Sequence, residues 1–240
     1  MTKSICIKTL LSLLFCHLLF LSSAQFPVRA DSEEGFKQIF NGYSLQGWFG
    51  DPEYWSVQDS CIVGIVTEDN LLEENSFLIY KDSLVGNLEL KAEFRISPNG
   101  NSGINYHSQK VANKPYALKG YQADIDGANQ WTGQNYEERG RTFLALRGQV
   151  TQISEKSKPL EIGSSGDKTD LSKLIKSNDW NEYHILVRGN TISHLINGQL
   201  MCVIIDDDDE NRSTGGFLGV QVHVGPPMKI EYRNVRIKVN

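Results

Sequence analysis

Gln122, Asp124 and Asp126, each two positions from the next, are the side chains whose types and spacing point most directly to chemistry in this 240-residue chain. On a β-strand alternate residues share a face, so these three polar groups stand side by side while Tyr121, Ala123 and Ile125 face the other way. A carboxylate without partners is costly to bury, so the pattern predicts a polar cleft on a strand that is otherwise core-like. Two carboxylates held this close raise the proton affinity of one of them, which provides an acid and a base together. The competing reading is an ion pair with Arg139, Arg141 or Arg147 at the strand end. Glu137 and Glu138 follow in the next segment, one expected to be solvated and one to face inward, with Glu138 a further catalytic candidate.

Other groups join this set. His223 shares a face with Gln221, while Val220, Val222 and Val224 form the opposite face. Imidazole titrates near neutral pH and is the usual general acid or base, although a half-buried, hydrogen-bonded histidine has the same sequence signature. Asn105 and His107 alternate in the same manner. Arg147 alternates with Phe143 and Ala145 and is a candidate anion or carbonyl clamp, or a structural partner for an acid. Trp131 sits in a Gly- and Asn-rich loop, where a ring is expected to be exposed beside a ligand, whereas Trp55 reads as packing. His184 and His194 read as structural. The run Asp206 to Glu210 offers hard oxygen ligands of the kind calcium prefers, but charge runs in loops are more often solvated.

These groups need a scaffold, and the scaffold reads as β throughout. Residues 88–96 alternate apolar and charged residues, the pattern of a half-exposed strand. Turn signals at Arg188–Asn190 and at Asn197–Gly198 divide residues 182–205 into a three-stranded meander. The final strand spans residues 229–239. Helix is expected only at residues 170–176, with Asp170 as its N-cap. Many short strands at such spacing predict an all-β, two-sheet sandwich or jelly roll with little helix. One face of each sheet is then buried, and the opposite face of one sheet carries the polar groups.

Residues 1–30 read as a secretory signal peptide: Lys3 and Lys8, an apolar run from Leu10 to Leu21, then small residues at Ser22–Ala24 and a second candidate site ending at Ala30. The apolar run is shorter than the ~20 residues a membrane-spanning helix requires, so no stable membrane insertion is expected after cleavage. Removing Lys3, Lys8 and Arg29 takes the net charge from −5 to −8, leaving one expected domain of residues 31–240 in the periplasm or outside the cell. No basic stripe indicates nucleic-acid binding. Cys61 and Cys202 are either a disulfide, as an exported protein permits, or two buried thiols. No spacing suggests zinc.

Seven segments resemble, in order, the blocks of the 3-keto-disaccharide hydrolase family, long known as a domain of unknown function. They are Phe36 to Trp48 with its Phe-Asn-Gly and Gly-Trp, Tyr54 to Val57, Asn101 to Ile104, Gly120 to Asp126, Trp180 to Tyr183, Ile196 to Gly198, and Gln221 to Met228. The resemblance covers residues 35–240. It implies a jelly roll of the concanavalin A-like lectin/glucanase type and action on glycosides oxidised at carbon 3, through β-elimination and hydration. Such a site needs a base for the carbon-2 hydrogen, an acid for the departing oxygen, and donors or a divalent cation to hold the enolate oxygen. Asp124, Asp126 and His223 are the candidate base and acid. Gln122, Arg147, Gln221 and His107 are the candidates to hold the ketone and hydroxyls. The strand lacks the flanking glutamates of retaining glucanases, which argues against double displacement. The rival from another class is a non-catalytic, lectin-like carbohydrate-binding module, since fold does not fix function.

Overall fold

Alternation governs the whole architecture. Strand Leu88–Ile96 buries every second side chain, and Asn181–Arg188 does the same. Apolar faces of this kind are stable only against another layer. The computed structural model describes Glu33 and residues 35–239; the expected leader lies outside the described residues. Residues 32–240 form one compact unit.

Two sheets make up the sandwich. One holds ten strands, with Leu88–Ile96 between Asn181–Arg188 and Met228–Val239 near its centre. The other holds eight, and along its main path the strands run Thr142–Ala145, Asn135–Glu138, Leu118–Asp126, Asn101–Lys110, Gly215–Val222, Ser76–Tyr80 and Trp48–Phe49. Pairing is antiparallel except between Gln149–Ile153 and Gln199–Asp206, which run parallel. The meander appears as Asn181–Arg188, Thr191–Ile196 and Gln199–Asp206, and the turn at Asn197 and Gly198 has φ of 52° and 80°. Two successive left-handed residues match the twist of a tight hairpin, which explains the Asn-Gly pair. The result is an all-β jelly-roll sandwich.

The inner faces merge into a single core, with Tyr121, Ala123 and Ile125 from one sheet against Phe94, Tyr183 and Ile185 from the other. Trp55 belongs to this core. The core also carries a polar bridge between the sheets. Tyr106 Oη lies 2.8 Å from His194 Nε2, Asn135 donates to Tyr106 Oη at 2.6 Å, and Tyr183 Oη lies 3.2 Å from His194 Nδ1. Burial holds the His194 pKa down to about 3, so the ring is neutral and acts as a hydrogen-bonding spacer.

Several sequence expectations are corrected here. The helix spans Lys168–Ser172 and its N-cap is Asp167, whose side chain accepts from Thr169 and Asp170 N–H. Asp170 instead lies in the first turn and pairs with Lys173. Of the two readings of Cys61 and Cys202, the pair of buried free thiols is the one that holds. The acidic run is not simply solvated. Asp206 is fully buried and accepts from Arg141 Nη1 and Nη2 at 3.0 and 2.7 Å and from Tyr121 Oη. Asp208 stands 3.5 Å from the same guanidinium. Glu137 and Glu138 are both buried; Glu137 holds Arg141 through Nε at 2.9 Å and Nη2 at 3.0 Å. A guanidinium therefore occupies the place where the acids of the run could have gathered a cation. Among the described residues no group of three or more His, Cys, Asp or Glu side chains is arranged to hold a metal ion.

Arg141 thus neutralises two buried acids on different strands. Removing one partner of a buried ion pair leaves charge uncompensated, at a cost of roughly 3–5 kcal/mol. Arg141→Ala should lower the urea unfolding free energy by an amount in that range. A loss below ~1 kcal/mol, the size typical of surface pairs, would show that solvent replaces the guanidinium.

Candidate functional site

The outer face of the eight-stranded sheet carries the cleft, about 500 Å³ in volume. Its floor comes from strand Leu118–Asp126, where the pleat turns Gln122 and Asp124 away from the core. Asp124 Oδ1 accepts from Gln122 Nε2 at 2.8 Å and Oδ2 accepts from Gln134 Nε2 at 2.6 Å. Burial pushes the Asp124 pKa up to about 7, against the two amide donors, with the charges of Asp126 and Glu138 adding smaller upward effects. Amides stabilise the carboxylate less than a cation would, so desolvation wins and the group titrates near neutral pH.

Gln122 can lie flat because strand Asn101–Lys110 has glycine beside it. Gly103 is the register partner of Asp124, and a Cβ there would sit 2.6 Å from Gln122 Cγ. Across Gly103, Gln221 Nε2 donates to its Oε1 at 3.2 Å. Gln221 is fully buried and does not line the cleft; it orients Gln122 from the side, across Gly103.

The walls come from neighbouring strands. Strand Asn135–Glu138 is in register with Leu118–Asp126, Tyr136 against Gln122 and Glu138 against Gly120, so Tyr136 and Glu138 reach the cleft. Burial raises the Glu138 pKa, opposed by Asn75, Arg139 and His223. Asn75 Nδ2 donates to Glu138 Oε1 at 3.3 Å, and Arg139 Nε stands 3.8 Å from the same oxygen. Three rings form a side wall: Trp131 to Phe143 at 5.7 Å and Tyr136 to Phe143 at 5.2 Å between centroids. His223 completes the rim. The strand ends at Val222, two residues earlier than the valine alternation suggests, and the His223 ring turns its Nδ1 to the Val224 carbonyl. The other ring nitrogen remains for solvent or a ligand.

Of the nine site residues expected from sequence, Gln122, Asp124, Glu138, Trp131 and His223 converge on this cleft. Asp126 does not. Its carboxylate accepts from the N–H groups of Gln130, Trp131 and Thr132 and from Thr132 Oγ1, at 2.7–2.9 Å, so it anchors the 127–134 loop instead of pairing with Asp124 in the cleft. Arg147 is also corrected: Nη1 and Nη2 donate to Asn129 Oδ1, Thr132 O and Asn129 O at 2.6–3.0 Å, clamping the same loop from behind. A register shift between Asn135 and Tyr136 breaks the alternation that put Phe143, Ala145 and Arg147 on one face. Phe143 meets the cleft while Ala145 enters the core. A second shift follows Tyr106, and His107, at φ 45°, is turned into a separate small cavity beside Asn87 and Arg212.

Sequence reasoning missed Gln134, Tyr136, Phe143, Arg139, Asn75 and Asn101 as cleft residues. Tyr136 was readable from its alternation with Glu138. Asn75 and Gln134 lie at element ends, where no periodicity marks them.

The fold is that of a lectin-like jelly-roll sandwich, and its outer face presents a near-neutral carboxyl under a wall of aromatic rings. The chain belongs to the family of the 3-keto-alpha-glucoside-1,2-lyase-like domain, which matches residues 35–238. It is 26% identical over 254 residues, 91% of this chain and 82% of the relative, to a 3-keto-disaccharide hydrolase of Bacteroides thetaiotaomicron. Among solved structures, a putative glycosyl hydrolase from Parabacteroides distasonis superposes with a TM-score of 0.57 at 20% identity, covering 86% of this chain and 94% of that one. A Bacillus subtilis protein of unknown function with a galectin-like fold gives 0.54 at 12% identity, covering 81% and 90%.

Two measurements check the geometry. A carboxyl whose folded pKa lies above its unfolded value binds its proton more tightly when folded. Its contribution to stability therefore falls as pH rises from about 4 to about 7 and then levels. Asp124→Asn should abolish that fall, so that the wild type loses up to about 4 kcal/mol relative to the variant between pH 4 and pH 8 in urea titrations. Parallel curves would place the titration elsewhere. Gly103→Ala should keep the circular dichroism of the fold yet displace Gln122, and with it the donor to Asp124, moving the apparent pKa of Asp124 in carboxyl NMR titrations.

Proposed function

We propose that this protein is an exported enzyme that cleaves 3-keto-glycosides by elimination followed by hydration. The observation that carries the reading is the Asp124 carboxyl: cleft-facing, held between two amides, and titrating at about 7, where a general base works best at neutral pH. The family match and the name of the Bacteroides relative supply the substrate class. The leader-like segment before residue 31 supports export.

The chemistry balances without further reactants than water. The ketone at carbon 3 acidifies the carbon-2 hydrogen. Asp124 takes that proton, the electron pair moves onto the ketone oxygen as an enolate, and it returns to form the carbon 1–carbon 2 double bond as the carbon 1–oxygen bond breaks. A proton from the His223 side of the cleft goes to the departing oxygen. Water then adds across the new double bond, so the sum is hydrolysis. Arg139 supplies positive charge for the developing enolate. Gln122 and Gln134 fix the Asp124 carboxylate, and Glu138 sits where it interacts electrostatically with both Asp124 and His223. The faces of Trp131, Phe143 and Tyr136 offer stacking surface for a pyranose ring, whose axial C–H groups are apolar.

The test is release of a chromogenic alcohol from an aryl 3-keto-α-glucoside, with deuterium at carbon 2 in a parallel sample. Release should slow with carbon-2 deuteration and fall at least a hundredfold in Asp124→Asn. In the wild type kcat/KM should rise with pH and level above about 7, as Asp124 ionises. Sugar binding with no release would overturn the proposal in favour of a binding module. Release with no carbon-2 isotope effect would overturn the elimination step.

A further inference from the structure

The two carboxyls that face the cleft are held differently. Each oxygen of Asp124 takes an amide hydrogen, one from Gln122 and one from Gln134. Glu138 has a single oxygen engaged. Its Oε1 accepts from Asn75 Nδ2 at 3.3 Å and stands 3.8 Å from Arg139 Nε. Among the described residues no donor reaches Oε2, and the side chain lines the cleft. Arg139 is not devoted to Glu138, because its Nη2 donates to Glu74 at 3.2 Å. Burial prevails over these partners and raises the Glu138 pKa, so this carboxyl holds a proton more readily than an exposed glutamate does.

His223 is open in the same sense. Its Nδ1 faces the Val224 carbonyl. A carbonyl only accepts, so Nδ1 carries the hydrogen and, while the ring is neutral, Nε2 presents a lone pair. One amide steadies both groups. Asn75 Oδ1 accepts from Val224 N at 3.0 Å, while its Nδ2 donates to Glu138. A main-chain N–H cannot accept, so the amide cannot turn over and Nδ2 must face the carboxyl. This end of the cleft therefore offers one free carboxyl oxygen and one free ring nitrogen, on groups whose charges interact.

We propose that Glu138 and His223 hold one proton between them, and that Glu138 is the catalytic base of the second half-reaction, the addition of water to carbon 1. The inference rests on the proposed function and divides it between the two carboxyls. In the first half Asp124 takes the carbon-2 proton, and the Glu138–His223 pair gives its proton to the oxygen leaving carbon 1. The sugar is left as an enone, its carbon 1–carbon 2 double bond conjugated to the ketone. Asp124 is now protonated and cannot activate water, whereas the pair has just lost its proton and can. Water enters where the leaving group departed. The pair takes a proton from it, the oxygen bonds to carbon 1, and the double-bond electrons move onto the ketone oxygen as an enolate. Asp124 then returns its proton to carbon 2, and both carboxyls end as they began.

Glu138→Gln should therefore part the two halves. A good aryl leaving group departs without an acid, so an aryl 3-keto-α-glucoside should still release its alcohol within about threefold of the wild-type rate, while hydration slows at least a hundredfold. The enone then accumulates, read by its ultraviolet absorbance and by the NMR signal of its carbon-1 hydrogen. Glu138→Ala should behave alike and regain the hydrated sugar as formate is added, a rescue that a merely structural role would not give. Hydration at the wild-type rate in Glu138→Gln overturns the inference and leaves the elimination standing. So does enone accumulation by the wild type itself, or accumulation in Glu138→Ala that formate leaves unchanged. Loss of aryl alcohol release in Glu138→Gln as deep as in Asp124→Asn overturns the division between the carboxyls. A wild type that releases no alcohol overturns the proposed function, and this inference with it.

Discussion

A carboxylate on a strand buried on both faces must find donors, and much of the local architecture around strand Leu118–Asp126 follows from that requirement. Asp124 and Asp126 meet it in opposite ways. Asp126 takes main-chain N–H groups and a hydroxyl from the loop that follows it, so its charge is satisfied before any ligand arrives. Asp124 takes two side-chain amides and retains a high proton affinity. Two aspartates one pleat repeat apart thus end as a loop anchor and a titratable group. The difference comes from what the chain offers each of them, since backbone N–H groups at a turn are a stronger anion trap than glutamine amides on a strand.

The same economy appears in the supports. Gly103 leaves the space in which Gln122 lies, Gln221 holds it from the side, and Arg147 ties the 127–134 loop that carries Trp131 and Gln134. None of these three lines the cleft, yet each fixes a residue that does. Across the core, His194 links the two sheets through Tyr106, Tyr183 and Asn135. Arg141 joins Glu137 on one strand to Asp206 on the other sheet. Polar groups at both places tie the layers in one register, because a slipped strand would leave a buried charge or ring nitrogen without its partner.

Much of this was legible in the residues. Period-two alternation at 88–96 and in the 181–206 meander, with Asn-Gly and Gly-Asn at its turns, sufficed to read a two-layer β fold. The polar face of Leu118–Asp126 sufficed to locate the cleft. What could not be read is where alternation breaks. A β-bulge inserts one residue and reverses every side chain beyond it, with no change in composition. That is why Ala145 and Phe143 part company, and why His107 leaves the face of Asn105. Asp126 and Arg147 were misplaced for a second reason: their partners are main-chain atoms of a loop, which no pattern of side chains records. The acidic run at 206–210 looked solvated because its counter-charge, Arg141, lies 65 positions away in the chain.

The two thiols of the described domain carry a practical consequence. Cys61 and Cys202 sit apart in the packed interior, and burial raises the proton affinity of both thiols, which makes them poor nucleophiles. Among the described residues no disulfide holds the sandwich together. Its packing therefore draws no stability from a disulfide, and each thiol would have to leave its buried place before an oxidant could reach it.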